Sequence, residues 1–284
     1  MYAVKMEINN SICIPTFFKA CLFSFCVSSL VACDSQNKES NVEQSNIESK
    51  KEQQVEILPF LNIQEQPAKY ALPFCEKKNC IEMDIQTIQT QDTWMNQWIA
   101  ESQSRVIQDQ IDLNQVMSLQ QAINAYVKKS DAWQAEFKTN DAYELHLNTR
   151  IASQRNQYVL LQVIVNTKQQ GVTVKDRGYF FVADRKVHKK LSLLDVIQKN
   201  QQNALNEMIQ VKYTEWQADQ SSDVQKAAPK KLYWGQSDWF FDGEGVGLHY
   251  RANEIVKDGT QLDIYLTKEQ TAQVLRPEVL EKMF

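Results

Sequence analysis

The sequence predicts an α+β fold, with antiparallel sheets, helices packed on one face, and two intertwined subdomains. Segments with strand periodicity and segments with helical periodicity are grouped along the chain instead of alternating strictly, which is typical of this class. Apolar residues make up 43% of the chain and only seven glycines occur, so a real core with few wide loops is expected. No repeat with a period of roughly 20 to 50 residues is visible, which argues against a repeat array.

The beginning of the chain has the order of a secretory signal. Lys5 and Lys19 precede an apolar run, residues 20–30, and Ala32 stands before Cys33. A basic region, an apolar region and a small-residue cleavage site follow one another in such signals. The apolar run is too short to span a bilayer, which needs about 20 residues. The first 32 residues are therefore predicted to be a cleaved signal peptide.

The residues around the cleavage site resemble the lipobox of bacterial lipoproteins. They are Leu30, Val31, Ala32 and Cys33. The resemblance implies that Cys33 becomes the first mature residue, that fatty acids such as palmitate acylate it, and that this anchor holds the protein at the periplasmic face of a bacterial membrane. Whether that membrane is the inner or the outer one stays open. The alternative is an ordinary secretory signal with a chance cysteine at the cut.

Residues 33–54 are predicted to form a disordered tether between the lipid and the folded domain. Their composition is dominated by Ser, Asn, Gln, Glu and Lys, and after Cys33 the only large apolar residues are Val42 and Ile47. Such a segment buries too little apolar surface to offset the entropy lost on ordering.

Two cysteines remain for the folded domain, Cys75 and Cys80. In an oxidising compartment cysteines at this spacing close a small loop as a disulfide. The alternatives are a redox pair, which is more often C-x-x-C, and half of a zinc site, which needs further Cys or His ligands. Neither condition is met, so we predict a structural disulfide, no metal and no cofactor. The net charge of −4 argues against nucleic acid as a partner.

An N-terminal α+β subdomain is predicted over residues 55–140. Asp92 or Thr93 and Ser118 are residue types that cap helices. Aromatic residues recur at helical spacing in both predicted helices, which indicates core more than a sugar-binding platform. The predicted strands are residues 55–63, 68–72 and 81–90, and the predicted helices are residues 93–110 and 118–137.

A C-terminal domain is predicted over residues 141–284. Turn residues at 153–156 and 169–171 separate its first three strands, which favours two hairpins in an antiparallel meander. The predicted strands are residues 142–153, 158–167, 178–183, 232–241, 245–250 and 261–266, and the predicted helices are residues 194–216 and 268–284, the latter broken at Pro277.

Three segments of this domain resemble the C-terminal domain family of the RsiV-type anti-sigma factors. The first is residues 179–184 (YFFVAD) together with residues 190–197 (KLSLLDVI). The second is residues 239–250 (WFFDGEGVGLHY), and the third is residues 250–256 (YRANEIV). The resemblance implies an extracytoplasmic domain that senses lysozyme by binding it, or that accompanies peptidoglycan-modifying enzymes. Direct anti-sigma activity is not carried over, because no transmembrane helix or cytoplasmic sigma-binding segment is recognised.

The motifs themselves have structural explanations. Ser192 and Asp195 suit a helix start, and the three glycines of the 243–247 segment suit a tight hairpin. Asn253 and Glu254 are expected to fix a corner between strands.

No catalytic motif is found, since H-E-x-x-H, G-x-S-x-G and Walker loops are all absent from the sequence. The best acidic cluster is Asp238, Asp242 and Glu244, close in sequence to His249. A cell-wall hydrolase acting through Asp242, Glu244 and His249 is the alternative function, but glycoside hydrolysis needs two carboxylates at a set separation in a cleft. A solvated turn is the simpler interpretation.

The aromatic run near residue 240 indicates a candidate binding surface, because aromatic residues are enriched where proteins bind partners. Its members would be Trp234, Trp239, Phe240, Asp242, Glu244 and His249. The alternative is that these rings alternate between core and rim. The sequence thus favours a non-catalytic binding or sensing module of the cell envelope, with lysozyme or peptidoglycan as candidate ligand. A lipoprotein that only recruits another envelope protein is a further alternative.

Overall fold

The computed structural model describes residues 58–75, 79–137, 141–257 and 259–284. These residues belong to one compact unit, Val55–Phe284. The predicted signal peptide, Cys33 and the tether lie outside the described residues. In the ranges that are described, no helix combines the length and the apolar character needed to cross a membrane.

The described residues form nine strands and seven α-helices, which confirms the α+β class. The strands are β1 (Gln64–Pro67), β2 (Glu82–Gln89), β3 (Glu144–Arg155), β4 (Tyr158–Gln169), β5 (Val172–Asp184), β6 (Lys189–Leu191), β7 (Asp238–Phe241), β8 (Val246–Tyr250) and β9 (Leu262–Tyr265). The helices are α1 (Thr93–Asp109), α2 (Leu119–Glu136), α3 (Leu193–Val196), α4 (Gln202–Ala218), α5 (Ser222–Ala227), α6 (Lys268–Val274) and α7 (Pro277–Met283).

The larger sheet has six strands in the order β1-β2-β3-β4-β5-β6. Its β3–β4–β5 meander confirms the two predicted hairpins, and Asn156 and Gln170 adopt positive φ in the turns, at 48° and 52°. The sheet is mixed, however, since β2 runs parallel to β3. A parallel pair needs a long crossover connection, and the helices α1 and α2 supply it. The boundary predicted after residue 140 thus falls inside one continuous sheet.

Helices α1 and α2 begin at the predicted caps. The Asp92 side chain accepts from the backbone N–H of Met95 at 3.1 Å, and Ser118 forms a reciprocal capping box with Gln121. Both helices place an apolar stripe against one face of the six-stranded sheet, which is the core position predicted for their aromatic residues. Tyr126 and Trp98 are fully buried there, whereas Phe137, the last residue of the predicted second helix, follows α2 and is 43% exposed.

The second sheet has three antiparallel strands in the order β7-β8-β9. It shares its core with α4, α6 and α7 and with the opposite face of β4 and β5. Successive residues of β4 pack into different cores. Leu160 lies in the core shared with the three-stranded sheet, and Leu161 lies in the core beneath α1 and α2. A strand covered on both faces is apolar along successive residues, which explains the run Tyr158–Leu161.

Several predicted boundaries are wrong. In place of the strands predicted at 55–63 and 68–72, the described residues of this region contain only β1, between them. The helix predicted at 194–216 is broken at Gln198, because its backbone N–H donates to the Val274 carbonyl at 2.9 Å instead of continuing the helix. The strand predicted from residue 232 begins only at Asp238, since residues 234–236 form a 3₁₀ turn. Helix α5 was not predicted.

Candidate ligand-binding clefts

Three of the six residues predicted to form a binding surface are core residues. Trp239, Phe240 and His249 are only 6%, 5% and 3% exposed. The Trp239 indole N–H donates to the Leu191 carbonyl at 3.0 Å. The Phe240 ring covers Gly247 on β8, where any Cβ would overlap the ring. Gly247 therefore serves this close approach in the sheet more than the hairpin turn.

His249 is held between the two sheets. Its Nδ1 lies 2.6 Å from Asp263 Oδ1, and its ring meets the Phe180 ring edge-on at 5.0 Å between centroids. Within the described part of the chain its Nε2 has no hydrogen-bond partner. The residue is thus part of the packing between β8, β9 and β5.

The two acidic residues of the hairpin point to other partners. Asp242 Oδ1 accepts from the backbone N–H groups of Glu244, at 2.8 Å, and Gly245, at 3.2 Å, as in an Asx turn. The Glu244 side chain is 81% exposed and lies 3.4 Å from Lys268 Nζ. The constellation of Asp242, Glu244 and His249 proposed for a hydrolase is therefore not assembled, because each side chain serves a different local contact.

The structure brings other residues together in a cleft of about 520 Å³ between α1, β5, β6 and β7, which we call the α1–β7 cleft. Its walls contain Trp234, Trp239 and Asp238, which the sequence singled out, and charged residues of α1 and β6, which it did not. The aromatic lining is Trp98, Phe180, Phe181, Trp234 and Trp239. The charged lining is Glu101, Arg105, Lys190, Asp195 and Asp238.

A groove of about 830 Å³ continues the cleft along α1 and the loop after it. The two depressions share Glu101, Arg105 and Lys190. Lys190 Nζ pairs with Glu101 across the opening, and this hydrogen bond is the main reason that the pKa of Glu101 is lowered. Together they offer an elongated surface with charges of both signs. Glu101 and Arg105 stand four apart on α1, a spacing that predicts a shared helix face but not what the face borders.

The pKa values of two cleft carboxylates, Asp238 and Asp195, are shifted in opposite directions. Burial raises the pKa of Asp238, against the lowering effect of the Arg251 guanidinium and of the Phe180 backbone N–H, which donates at 3.2 Å. Burial also acts on Asp195, but hydrogen bonds from Lys189 and Ser192 outweigh it and lower the pKa of Asp195 to about 2. Asp195 closes the predicted cap at the start of α3, where the Ser192 backbone N–H donates to it at 2.8 Å.

Behind the cleft, charges join the two layers in what we call the charged seam, formed by Asp109, Arg177, Tyr179, Asp238 and Arg251. Arg251 Nη1 lies 3.7 Å from Asp109 Oδ2, and Arg251 Nε lies 3.7 Å from Asp238 Oδ2. Its guanidinium also lies 4.6 Å from the centre of the Tyr179 ring, a cation–π distance. Arg177 Nη2 lies 3.3 Å from Asp109, to which the Tyr179 hydroxyl donates.

The corner after β8 follows the prediction. Asn253 adopts φ 67°, and its side-chain oxygen accepts from the Gly259 N–H at 2.8 Å. Glu254 Oε2 accepts from the Arg251 N–H at 2.9 Å and so orients the residue at the centre of the seam.

The predicted disulfide is present, with Cys75 and Cys80 joined and their Cα atoms 5.9 Å apart. No group of three or more potential metal ligands occurs among the residues that the structure describes.

The fold is similar to two solved structures of DUF3298 family proteins. The protein from Pseudomonas aeruginosa PAO1 is 17% identical with a TM-score of 0.57, and the match covers 78% of this chain and 97% of that chain. The protein from Bacteroides fragilis NCTC 9343 is 12% identical with a TM-score of 0.53, again over 78% and 97%. No family model matches the sequence. No curated protein matches it either.

At these identities the likeness shows the fold alone, which is that of a domain of unknown function. The finer resemblance to the RsiV-type anti-sigma factors stays a prediction.

Proposed function

We propose that this protein is a non-catalytic binding module of the bacterial cell envelope, anchored by lipid at the periplasmic face, and that the α1–β7 cleft is its ligand site. The observation that carries the proposal is the lining of this cleft, where three partly exposed aromatic residues, Phe180, Phe181 and Trp234, and five charged residues border one open groove. Ligand sites are typically concave and apolar with a few placed polar groups. The lipobox resemblance and the Cys75–Cys80 disulfide support the location.

Peptidoglycan is the ligand class that this lining fits best. The apolar faces of sugar rings pack against aromatic side chains such as Trp234, while hydroxyl and acetamido groups meet carboxylates and backbone groups. Arg105 and Lys190 supply cations for the carboxylates of the attached peptides. The groove that continues along α1 suits an elongated chain of sugars more than a single small molecule.

Binding without chemistry is supported by how the carboxylates are held. Glu101 is paired with Lys190, and Asp195 caps α3. Asp238 accepts from the Phe180 backbone N–H and faces Arg251. Glycoside hydrolysis instead requires a protonated acid and an ionised partner placed on either side of one bond.

Retention of purified murein fragments on the immobilised full chain tests the ligand. Removing an aromatic anchor costs roughly 1.4 kcal/mol or more, so Trp234→Ala should weaken retention about tenfold. Tyr233→Ala is the matched control, because Tyr233 is the neighbouring exposed ring and does not line the cleft. Equal retention by both variants, or none by the unaltered chain, contradicts the assignment.

Lysozyme, immobilised in parallel, tests the sensing role that the family resemblance implies. If lysozyme binds and murein fragments do not, the cleft is not a glycan site and the resemblance becomes the better guide. Hydrolysis of the murein during the incubation would instead favour the enzyme alternative.

The location is tested separately by labelling cells with palmitate. The label should enter the protein, and Cys33→Ser should abolish both the label and membrane retention. Unchanged membrane retention of the Cys33→Ser variant would contradict the lipid anchor and leave the cleft assignment standing.

A further inference from the structure

A second cavity, of about 570 Å³, lies beside the α1–β7 cleft and borders the corner after β8. Gly235 lines both, so the 3₁₀ turn at residues 234–236 contributes to the walls of each. We call the second one the arginine cavity. Its charged lining is Arg177, Arg251, Lys257 and Glu254, and its apolar lining includes Leu232 and Ile255.

The charged lining of the arginine cavity holds three cations and one carboxylate, and Asp109 and Asp238 pair with its arginines from the charged seam. The Arg177 and Arg251 side chains are only 20% and 18% exposed, so both guanidinium groups are largely removed from water. An oxyanion meeting them there is attracted more strongly than at an open surface, because the local dielectric is low.

Both guanidinium groups are oriented before any ligand arrives. They lie against the Tyr179 ring, at 5.6 Å for Arg177 and 4.6 Å for Arg251. Asp109 contacts both from α1. Such fixed side chains lose little entropy on binding, which favours affinity.

Donors remain available on these arginines. Each guanidinium has five N–H groups. The ion pairs engage Nη2 of Arg177 and Nη1 and Nε of Arg251. Among the described residues Arg177 pairs with one carboxylate, Asp109, and its buried Nε has no hydrogen-bond partner. Arginine recognises a planar carboxylate through paired hydrogen bonds, so Arg177 beside Arg251 is suited to one.

We infer that the arginine cavity is a binding site for a carboxylate attached to an apolar body, as at the end of a peptide or on a small organic acid. Arg177 and Arg251 contact the carboxylate and Lys257 adds charge at the rim. Pro229, the exposed apolar residue of the lining, contacts the apolar part, which inorganic phosphate lacks. This inference does not depend on the ligand of the α1–β7 cleft.

Isothermal titration calorimetry of the full chain in detergent tests the inference with N-acetyl-alanyl-alanine as the probe. The same dipeptide as its C-terminal amide lacks the negative charge and should bind at least about tenfold more weakly, because hydrogen bonds to charged groups are the strong ones. Inorganic phosphate is the second arm and should bind more weakly than the acid.

Lys257→Ala is the variant of choice, because Lys257 is exposed and its loss should leave the fold intact. It should weaken binding of the acid several-fold, and Arg177→Gln more so. Lys199→Ala is the matched control, an exposed lysine outside the cavity that should change nothing. The site is refuted if the acid gives no heat, if acid and amide bind alike, if phosphate binds more tightly, or if Lys199→Ala weakens binding as much as Lys257→Ala.

Discussion

The packing of α1 on the six-stranded sheet and the contact between the two sheets handle buried polar groups differently. Where α1 buries a polar side chain against the sheet, the contact is neutral, since Gln103 Nε2 donates to Thr149 Oγ1 at 2.8 Å. The charged contacts of α1 with the sheet, Glu101 with Lys190 and Asp109 with Arg177, are partly exposed. Between the two layers, the charged seam brings Asp109, Asp238 and Arg251 together. Neutral pairs contribute modestly to stability, whereas breaking a buried ion pair leaves an uncompensated charge. The seam is therefore where single substitutions should have their largest effects.

The largest effect is expected from Arg251→Met, which removes the cation facing Asp238. Leaving one buried charge without its partner costs about 3–5 kcal/mol in the free energy of unfolding, which urea denaturation measures. The double variant Arg251→Met, Asp238→Asn should recover a substantial part, because the orphaned carboxylate is gone. A loss that is no smaller in the double variant would show that the seam is not compensating charge.

Leu145→Ala tests the apolar packing between the six-stranded sheet and its helices. Leu145 is fully buried on β3, and truncating a core leucine costs about 2–5 kcal/mol. Leu194→Ala is the matched control, since Leu194 is 46% exposed and should change stability by about 0.5 kcal/mol or less. Similar unfolding midpoints for both variants would contradict the burial of Leu145.

Gly247→Ala tests the packing of the second sheet. A Cβ at this position would lie 2.1 Å from the Phe240 ring, and overpacking of a well-filled core costs about 1–3 kcal/mol. Gly235→Ala is the control, because nothing lies within 4 Å of the Cβ it would add. Thermal unfolding of the two variants should differ clearly, and a stable Gly247→Ala variant would show that the ring has room to move.

The smallest effect is a pH dependence caused by Asp238. Its pKa is raised in the folded state, so the folded state binds this proton more tightly than the unfolded state. Stability should therefore fall as pH rises from about 4, the unfolded pKa, through the folded pKa. Asp238→Asn should flatten this decline in urea midpoints, and Asp219→Asn, at an exposed position, should keep it. An unchanged slope in Asp238→Asn would assign the dependence to another group.

The regions that were predicted well are those with local signals. The meander of β3, β4 and β5 follows from alternating apolar residues and turn residues, and α1 and α2 follow from their caps and apolar stripes. The predictions fail where a segment distant in the sequence supplies the hydrogen-bond partner. Gln198 leaves its helix because the Val274 carbonyl offers a partner, and nothing near Gln198 in the sequence signals this.

For the candidate site, residue types were predicted better than their placement. Trp234 is a predicted site residue that does line the cleft, yet Trp239, Phe240 and His249 are buried and Glu244 faces solvent. Alternation along β7 places side chains on two faces, but which face is covered depends on the layer packed above it.

The sequence by itself determined the class of fold, the meander, the helix caps and the cysteine pair, because each depends on residues close together in the chain. Only the tertiary structure decided that Glu101 and Arg105 of α1 border the same cleft as Trp234, and that Arg251 meets Asp109 and Asp238. Periodicity and capping are local properties of the backbone. The neighbours of a charged or aromatic side chain are set by which elements pack together, and that is a property of the whole chain.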